Sequence, residues 1–224
     1  MNRIISMYAF AIAVAACGGN GNGNSTGSGG GSDAGGGSDA GGGGDAGGGS
    51  DGGTAVTGLV YTDPSGGALR LVANTSATPT AMVLDFIVGG APLTGYSTGF
   101  DLPLAPGEVT LGTFTPGSAL SPGTAPSAAA AVIPDQGPLH GMLVVGQSQK
   151  AGGVGAVTTD TALAAGTVLF TLELDLATSA PAGVVFDGTA SGFVLPSGGL
   201  RNKVGMTIVD ASQVKIGKLE VRRP

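Results

Sequence analysis

The chain has 224 residues, among them 45 Gly, 13 Pro, one Cys, one His and no Trp, and only 11% are charged. A lone Cys excludes an intramolecular disulfide framework and a Cys-rich zinc site, and a lone His excludes a multi-His metal centre. With 9 basic against 15 acidic residues, a general nucleic-acid-binding surface is not expected.

The N-terminus reads Met1-Asn2-Arg3, then Ile4 to Ala16 with only Ser6 and Tyr8 offering polar atoms, then Cys17. A single positive charge before a short apolar run is the pattern of a secretory signal peptide, too short for a transmembrane helix of about 20 residues. Val14-Ala15-Ala16-Cys17 resembles the lipobox of bacterial lipoproteins. That resemblance implies cleavage after residue 16 and a diacylated Cys17 as the first mature residue, the thiol carrying the lipid. The alternative is an ordinary signal peptide followed by a chance Cys. Gly18 and Gly19 follow the Cys, with no Asp to resemble an inner-membrane retention signal, so the lipoprotein analogy implies the outer membrane or cell surface.

Residues 17–53 are expected to be a tether. From Gly18 to Gly53 the chain holds 20 Gly in 36 residues and nothing apolar larger than Ala. Ser32-Asp33-Ala34-Gly35-Gly36-Gly37 repeats at Ser38 to Gly43, and Asp33, Asp39, Asp45 and Asp51 keep a period of six. Such a segment cannot bury enough apolar surface to offset its ordering entropy and is expected to be disordered. A calcium-binding β-roll needs a nine-residue period with a large apolar residue in each repeat, and neither is present.

Residues 54–224 are long enough for one core, and β-prone runs recur there between Gly and Pro turns. The expected strands are Ala68–Ala73, Ala81–Val88, Tyr96–Leu102, Glu108–Phe114, Gly141–Gln147, Val168–Leu176, Gly183–Phe186, Gly192–Leu195, Val204–Val209 and Val214–Val221. The clearest is Val168–Leu176, whose even positions are apolar while Thr171, Glu173 and Asp175 take the other face, the period of two of a half-buried strand. In the last run Val214 and Ile216 share one parity, Leu219 and Val221 the other. Gly217 lies between them, as expected of a β-bulge. Ser121 to Pro138 holds four prolines and an alanine run and reads as a long loop or partly helical insertion. Nine or ten short strands at this spacing predict an all-β fold, an antiparallel β-sandwich of about nine strands.

Phe100-Asp101-Leu102-Pro103-Leu104, followed by Val109-Thr110-Leu111-Gly112 and Thr115-Pro116-Gly117-Ser118, is similar to the early strands of cohesin domains. Gly166 to Leu174 resembles a later cohesin strand opened by Gly, and Val214 to Val221 resembles the terminal one. The resemblance covers about residues 80–221 in order. It implies a nine-stranded jelly roll, a fold shared with several cellulose-binding modules, and hence a protein partner or a polysaccharide. The chain departs from cohesins in carrying no dockerin and no repeated modules, so no partner-binding residue is carried over.

Several residues invite a chemical reading. Gly95-Tyr96-Ser97-Thr98-Gly99 matches a nucleophile elbow, with Asp101, Asp135 and His140 downstream. An elbow needs a strand-to-helix turn, however, and Phe100 to Leu102 read as continuing strand. His140 reads as a strand-end or loop residue, and no enzyme activity or cofactor is expected. Sugar rings stack on flat aromatic faces, which leaves Tyr61 and Tyr96 as candidate ligand contacts, with core filler the plainer reading of Tyr96. The six phenylalanines of residues 54–224, Phe86, Phe100, Phe114, Phe170, Phe186 and Phe193, mostly fall on expected strands and are needed for the core. Glu173 and Asp175 share a strand face but lack a third nearby acid for calcium. Arg201, Lys203, Lys215, Lys218, Arg222 and Arg223 crowd the last 24 residues, as a basic edge for an acidic partner or anionic lipid, or as charge guarding an edge strand.

Overall fold

The computed structural model describes residues 58–105, 107–120, 127–132, 141–150, 153–178 and 180–223. Cys17, the tether, Asp135 and His140 lie outside them. In chain order the strands are β1 Gly58–Thr62, β2 Leu69–Ala73, β3 Ala81–Val88, β4 Leu93–Gly95 and β5 Ser97–Pro103. β6 Val109–Pro116, β7 Ser127–Val132, β8 Met142–Ser148, β9 Thr161–Leu163 and β10 Val168–Leu176 follow. The last are β11 Gly183–Asp187, β12 Ser197–Arg201, β13 Thr207–Val209, β14 Val214–Lys215 and β15 Lys218–Arg222. Among the described residues no helix is long and apolar enough to cross a membrane.

Two five-stranded sheets carry the architecture, ordered β14-β2-β3-β10-β6 and β13-β12-β5-β8-β7. A three-stranded sheet, β1-β15-β11, and a ribbon, β4-β9, complete it. The pairings are antiparallel except that β14 runs parallel to β2, Val214 opposite Leu69. β3 alternates as a half-buried strand must: Met82, Leu84, Phe86 and Val88 are buried while Ala81, Val83, Asp85 and Ile87 are half-buried. β5 does the same, with Thr98, Phe100 and Leu102 turned inward.

The inner faces of the two five-stranded sheets meet through aromatic rings. Phe86 on β3 and Phe170 on β10 stack at 4.8 Å between centroids. Phe100 on β5 comes edge-on to Phe86 at 5.1 Å and lies 5.9 Å from Phe170. Burying each ring is worth about 1.5–3 kcal/mol, and each well-oriented pair adds about 0.5–1.5 kcal/mol. A buried polar side chain also ties the layers. Gln147 points inward from β8 and donates Nε2–H to the Gly117 carbonyl at 2.7 Å, at the end of β6.

Five expectations change. Of the expected strand Val204–Val209 only Thr207–Val209 is formed, because residues 202–206 make the turn that leads into it. The apolar run Gly192–Leu195 is not a strand: Leu195 is buried but Val194 is exposed, and the chain turns there. The strand is the following Ser197–Arg201, whose Gly198 and Gly199 adopt positive φ of 155° and 120° that only Gly tolerates. Ser121–Pro138 is neither wholly loop nor helix, because Ser127–Val132 forms β7 at the edge of a sheet. Its small alanines sit against β8, Ala129 opposite Gly146. The strand period of β10 breaks between Val168 and Phe170, so Leu169 joins Phe170 in the core and Val168 is left exposed.

At Gly217 the chain does not bulge within one strand but crosses from the sheet of β14 to that of β15. There the Gly217 N–H donates to the Tyr61 hydroxyl at 2.8 Å. A Cβ on Gly217 would run into the Thr62 carbonyl oxygen.

Candidate functional site

The outer face of the β13-β12-β5-β8-β7 sheet carries a depression of about 230 Å³. Strand register explains it. Gly199, Gly99, Gly146 and Ala129 pair in turn across β12, β5, β8 and β7. This row has no side chain beyond one methyl, and it crosses four strands over about 14 Å. On one side stand Arg201, Ser97 and Ser148, paired across the same strands, and on the other Ser197, Asp101 and Val144. The result is a trough floored by main chain and rimmed by hydroxyls, one guanidinium and one carboxylate.

The floor glycines differ in why they are Gly. A Cβ on Gly99 would strike the Val145 carbonyl oxygen, and one on Gly199 the Val209 carbonyl oxygen. At Gly146 a Cβ would meet nothing within 4 Å. The first two are required by the backbone, the third leaves room above it. On the rim, Ser197 Oγ donates to Asp101 Oδ2 at 2.6 Å, and Arg201 Nη1 donates to the Gly205 carbonyl at 3.2 Å. Beneath the floor, the buried Thr98 hydroxyl donates to the Gly199 carbonyl at 2.8 Å and holds β12 to β5.

The elbow-like pentapeptide lies along this trough. Ser97 is the first residue of β5, and strand continues through Pro103, so the strand-to-helix turn of an elbow is not formed. Of the downstream acids, Asp101 accepts a hydrogen bond from Ser197 Oγ, while Asp135 and His140 lie outside the described residues.

Neither tyrosine stands exposed. Tyr96 is buried, and its hydroxyl donates to the Val157 carbonyl at 3.1 Å. Tyr61 is half-buried against Phe186, with centroids 6.2 Å apart. Its hydroxyl donates to the Leu71 carbonyl at 2.8 Å while accepting from Gly217 N. Burial pushes the Tyr61 phenol above the usual tyrosine range, against the Gly217 hydrogen bond, which pulls it down.

A raised phenol pKa means that the folded state keeps its proton where the unfolded chain has lost it. Stability therefore falls as pH rises above about 10, the unperturbed value. Tyr61→Phe strips a partner from two main-chain groups and is expected to cost about 1–3 kcal/mol at neutral pH. It should also flatten the decline above pH 10, and urea denaturation of both proteins between pH 7 and 11 measures the two effects.

The basic C-terminus is mostly self-engaged. Lys218 Nζ lies 2.8 Å and Arg222 Nη2 2.5 Å from the Glu220 carboxylate. Hydrogen bonds from Lys218 and Arg222 hold that carboxyl below the usual range, and Glu220 raises Lys218 in return. β15 is the middle strand of its sheet, so Lys218 and Arg222 do not guard an edge, whereas Lys215 is exposed on the edge strand β14. Arg223 donates to the Ala180 carbonyl. Glu173 and Asp175 face outward on β10 beside Gly112. Among the described residues, no group of three or more His, Cys, Asp or Glu is placed to hold a metal ion.

Pattern reasoning missed the trough. Glycine and serine carry no periodic signal, and Gly198-Gly199 reads as a turn until the register places it beside β5. The clue available was Gly146 inside an otherwise apolar strand, since a lone strand Gly marks a close approach or a vacated face.

Fold and site together define an all-β domain of several mainly antiparallel sheets, with a side-chain-free trough on one outer face. Comparison with family models, with curated proteins and with solved structures found no match to this chain.

Proposed function

We propose that this chain is a lipid-anchored cell-envelope protein that displays a non-catalytic, cohesin-like binding module for a protein partner. On this reading Cys17 is acylated at the outer membrane or cell surface, and residues 18–53 form the tether. Residues 54–224 fold as a jelly-roll sandwich. The strand order supports the jelly-roll reading, with two five-stranded sheets sharing one aromatic core and a late strand, β14, set parallel beside an early one, β2.

The observation that carries the binding role is the trough. Its bare floor lets another backbone or small side chains approach closely, and its rim offers both signs of charge and three hydroxyls. Protein is favoured over polysaccharide because no Phe or Tyr is exposed among the described residues, and sugar rings bind best on exposed aromatic faces.

Purified 54–224, run in parallel over envelope extract and a panel of insoluble polysaccharides, tests the choice. One discrete protein should be retained and released by competing free 54–224. Retention on a polysaccharide, competed by soluble sugar, would replace the protein reading with glycan binding, and retention of neither would reject both.

A further inference from the structure

The end of the β13-β12-β5-β8-β7 sheet where Ser148, Ser97 and Arg201 align carries a second surface feature. Two connections leave there, residues 202–206 between β12 and β13, and the connection after β8, described at residues 149–150 and 153–160. The Lys203 N–H donates to Asp160 Oδ1 at 2.7 Å and joins them. Their tips present aliphatic side chains to solvent, with Val154 93%, Val204 78% and Met206 64% exposed. Three cations accompany them, Lys150, Arg201 and Lys203, against one acid, Asp160. That local excess of positive charge stands out in a chain with formal net charge −6.

The turn at residues 202–206 is held, not loose. Asn202 accepts the Met206 N–H on its Oδ1 at 2.8 Å, and its own N–H donates to the Met206 carbonyl at 3.0 Å. In the other connection Lys150 Nζ donates to the Val154 carbonyl at 2.6 Å, and Gln149 Nε2 donates to the Gly95 and Thr159 carbonyls. A turn tied as residues 202–206 are, with exposed aliphatic side chains beside a cation, loses little ordering entropy on burial.

We propose that this end of the domain docks on an anionic lipid bilayer, with Val204, Met206 and Val154 entering the headgroup boundary and Lys150 and Lys203 meeting lipid phosphates. The pairing is chemically complementary, since each Lys or Arg near an anionic leaflet strengthens binding and each buried aliphatic group adds to it. Tyr and Phe rings are absent from the tips, so the contact is shallow and reversible. Acylation at Cys17 would be the second signal that makes such an attachment stable. The 40 residues between Cys17 and Gly58 have a root-mean-square span of roughly 35 Å as a Gly-rich coil, enough to bring either end of the domain to the surface.

This inference is independent of the partner reading, and its test removes the acyl chain. Every residue of the core cluster lies between Leu59 and Val221, so residues 54–224 serve as the probe. Sedimentation with vesicles of phosphatidylcholine containing 30% phosphatidylglycerol, about a third anionic lipid, should retain this protein. Vesicles of phosphatidylcholine alone should not. The double substitution V204S/M206S is expected to weaken retention about tenfold, and K203Q about fivefold, without changing the denaturation midpoint. No retention on anionic vesicles, or retention that these substitutions leave unchanged, overturns the proposal. So does loss of a protein partner from envelope extract on V204S/M206S when vesicle retention is absent, which would assign this end to protein contact.

Discussion

Phe170→Ala is expected to cost the domain about 3–5 kcal/mol, the largest loss from any single side chain described above. The ring is fully buried and touches aromatic neighbours from both layers, Phe86 at 4.8 Å, Phe100 at 5.9 Å and Phe114 at 5.7 Å. Removing it opens a cavity that no single neighbour can fill, because Phe86 and Phe100 sit on different sheets whose backbones are fixed by their own ladders. A domain of this size has a total stability of about 5–15 kcal/mol, so the variant should unfold at a much lower urea concentration with an unchanged slope. Phe114→Ala makes the contrast. Phe114 is only partly buried and belongs to β6, at the edge of its sheet, so its loss should be about half as large. Equal midpoints for the two variants would mean that the aromatic cluster does not join the sheets.

The residues behind that prediction show what pattern alone can reach. Ala81–Val88 and Val168–Leu176 are bounded in the structure as alternation places them, because each buries one face and nothing else explains apolar residues two apart. The slip between Val168 and Phe170 is invisible to alternation, since it depends on how β3 pairs with β10. Short elements escape for a different reason. β4 and β9 have three residues each, less than two periods, and their existence rests on pairing with each other. β7 escapes because a run of alanines has no apolar contrast. It becomes a strand by pairing antiparallel with β8 along the edge of the sheet.

The site is less legible than the core for the same physical cause. Tyr61 and Tyr96 attract a ligand reading because aromatics are scarce, yet each hydroxyl closes a main-chain hydrogen bond across the fold, to Leu71 and to Val157. A buried hydroxyl must find such a partner, and its partner is set by tertiary position alone. The trough, conversely, is made by what is missing. Gly199, Gly99 and Gly146 lie 47 to 100 positions apart in the chain and become neighbours only through register.

Gly199 and Gly146 should therefore respond to substitution in opposite ways. Gly199→Ala places a Cβ against the Val209 carbonyl oxygen and demands a side chain at φ of 120°. Strain in that region costs about 1–3 kcal/mol, and the clash adds to it. The expected loss is about 2–4 kcal/mol, with β13 displaced and the Thr98 hydrogen bond to Gly199 disturbed. At Gly146 the added atoms enter open space, and a strand Gly replaced by a residue with a side chain recovers about 0.5–1 kcal/mol of backbone entropy. Gly146→Leu is thus expected to keep or slightly raise the denaturation midpoint while filling the floor of the trough. If the trough is the docking face, capture of the protein partner should fall at least tenfold with Gly146→Leu, and less with Gly146→Ala. Since folding is untouched in both, undiminished capture would move the partner to another face, and a destabilised Gly146→Leu would show that the floor is not open.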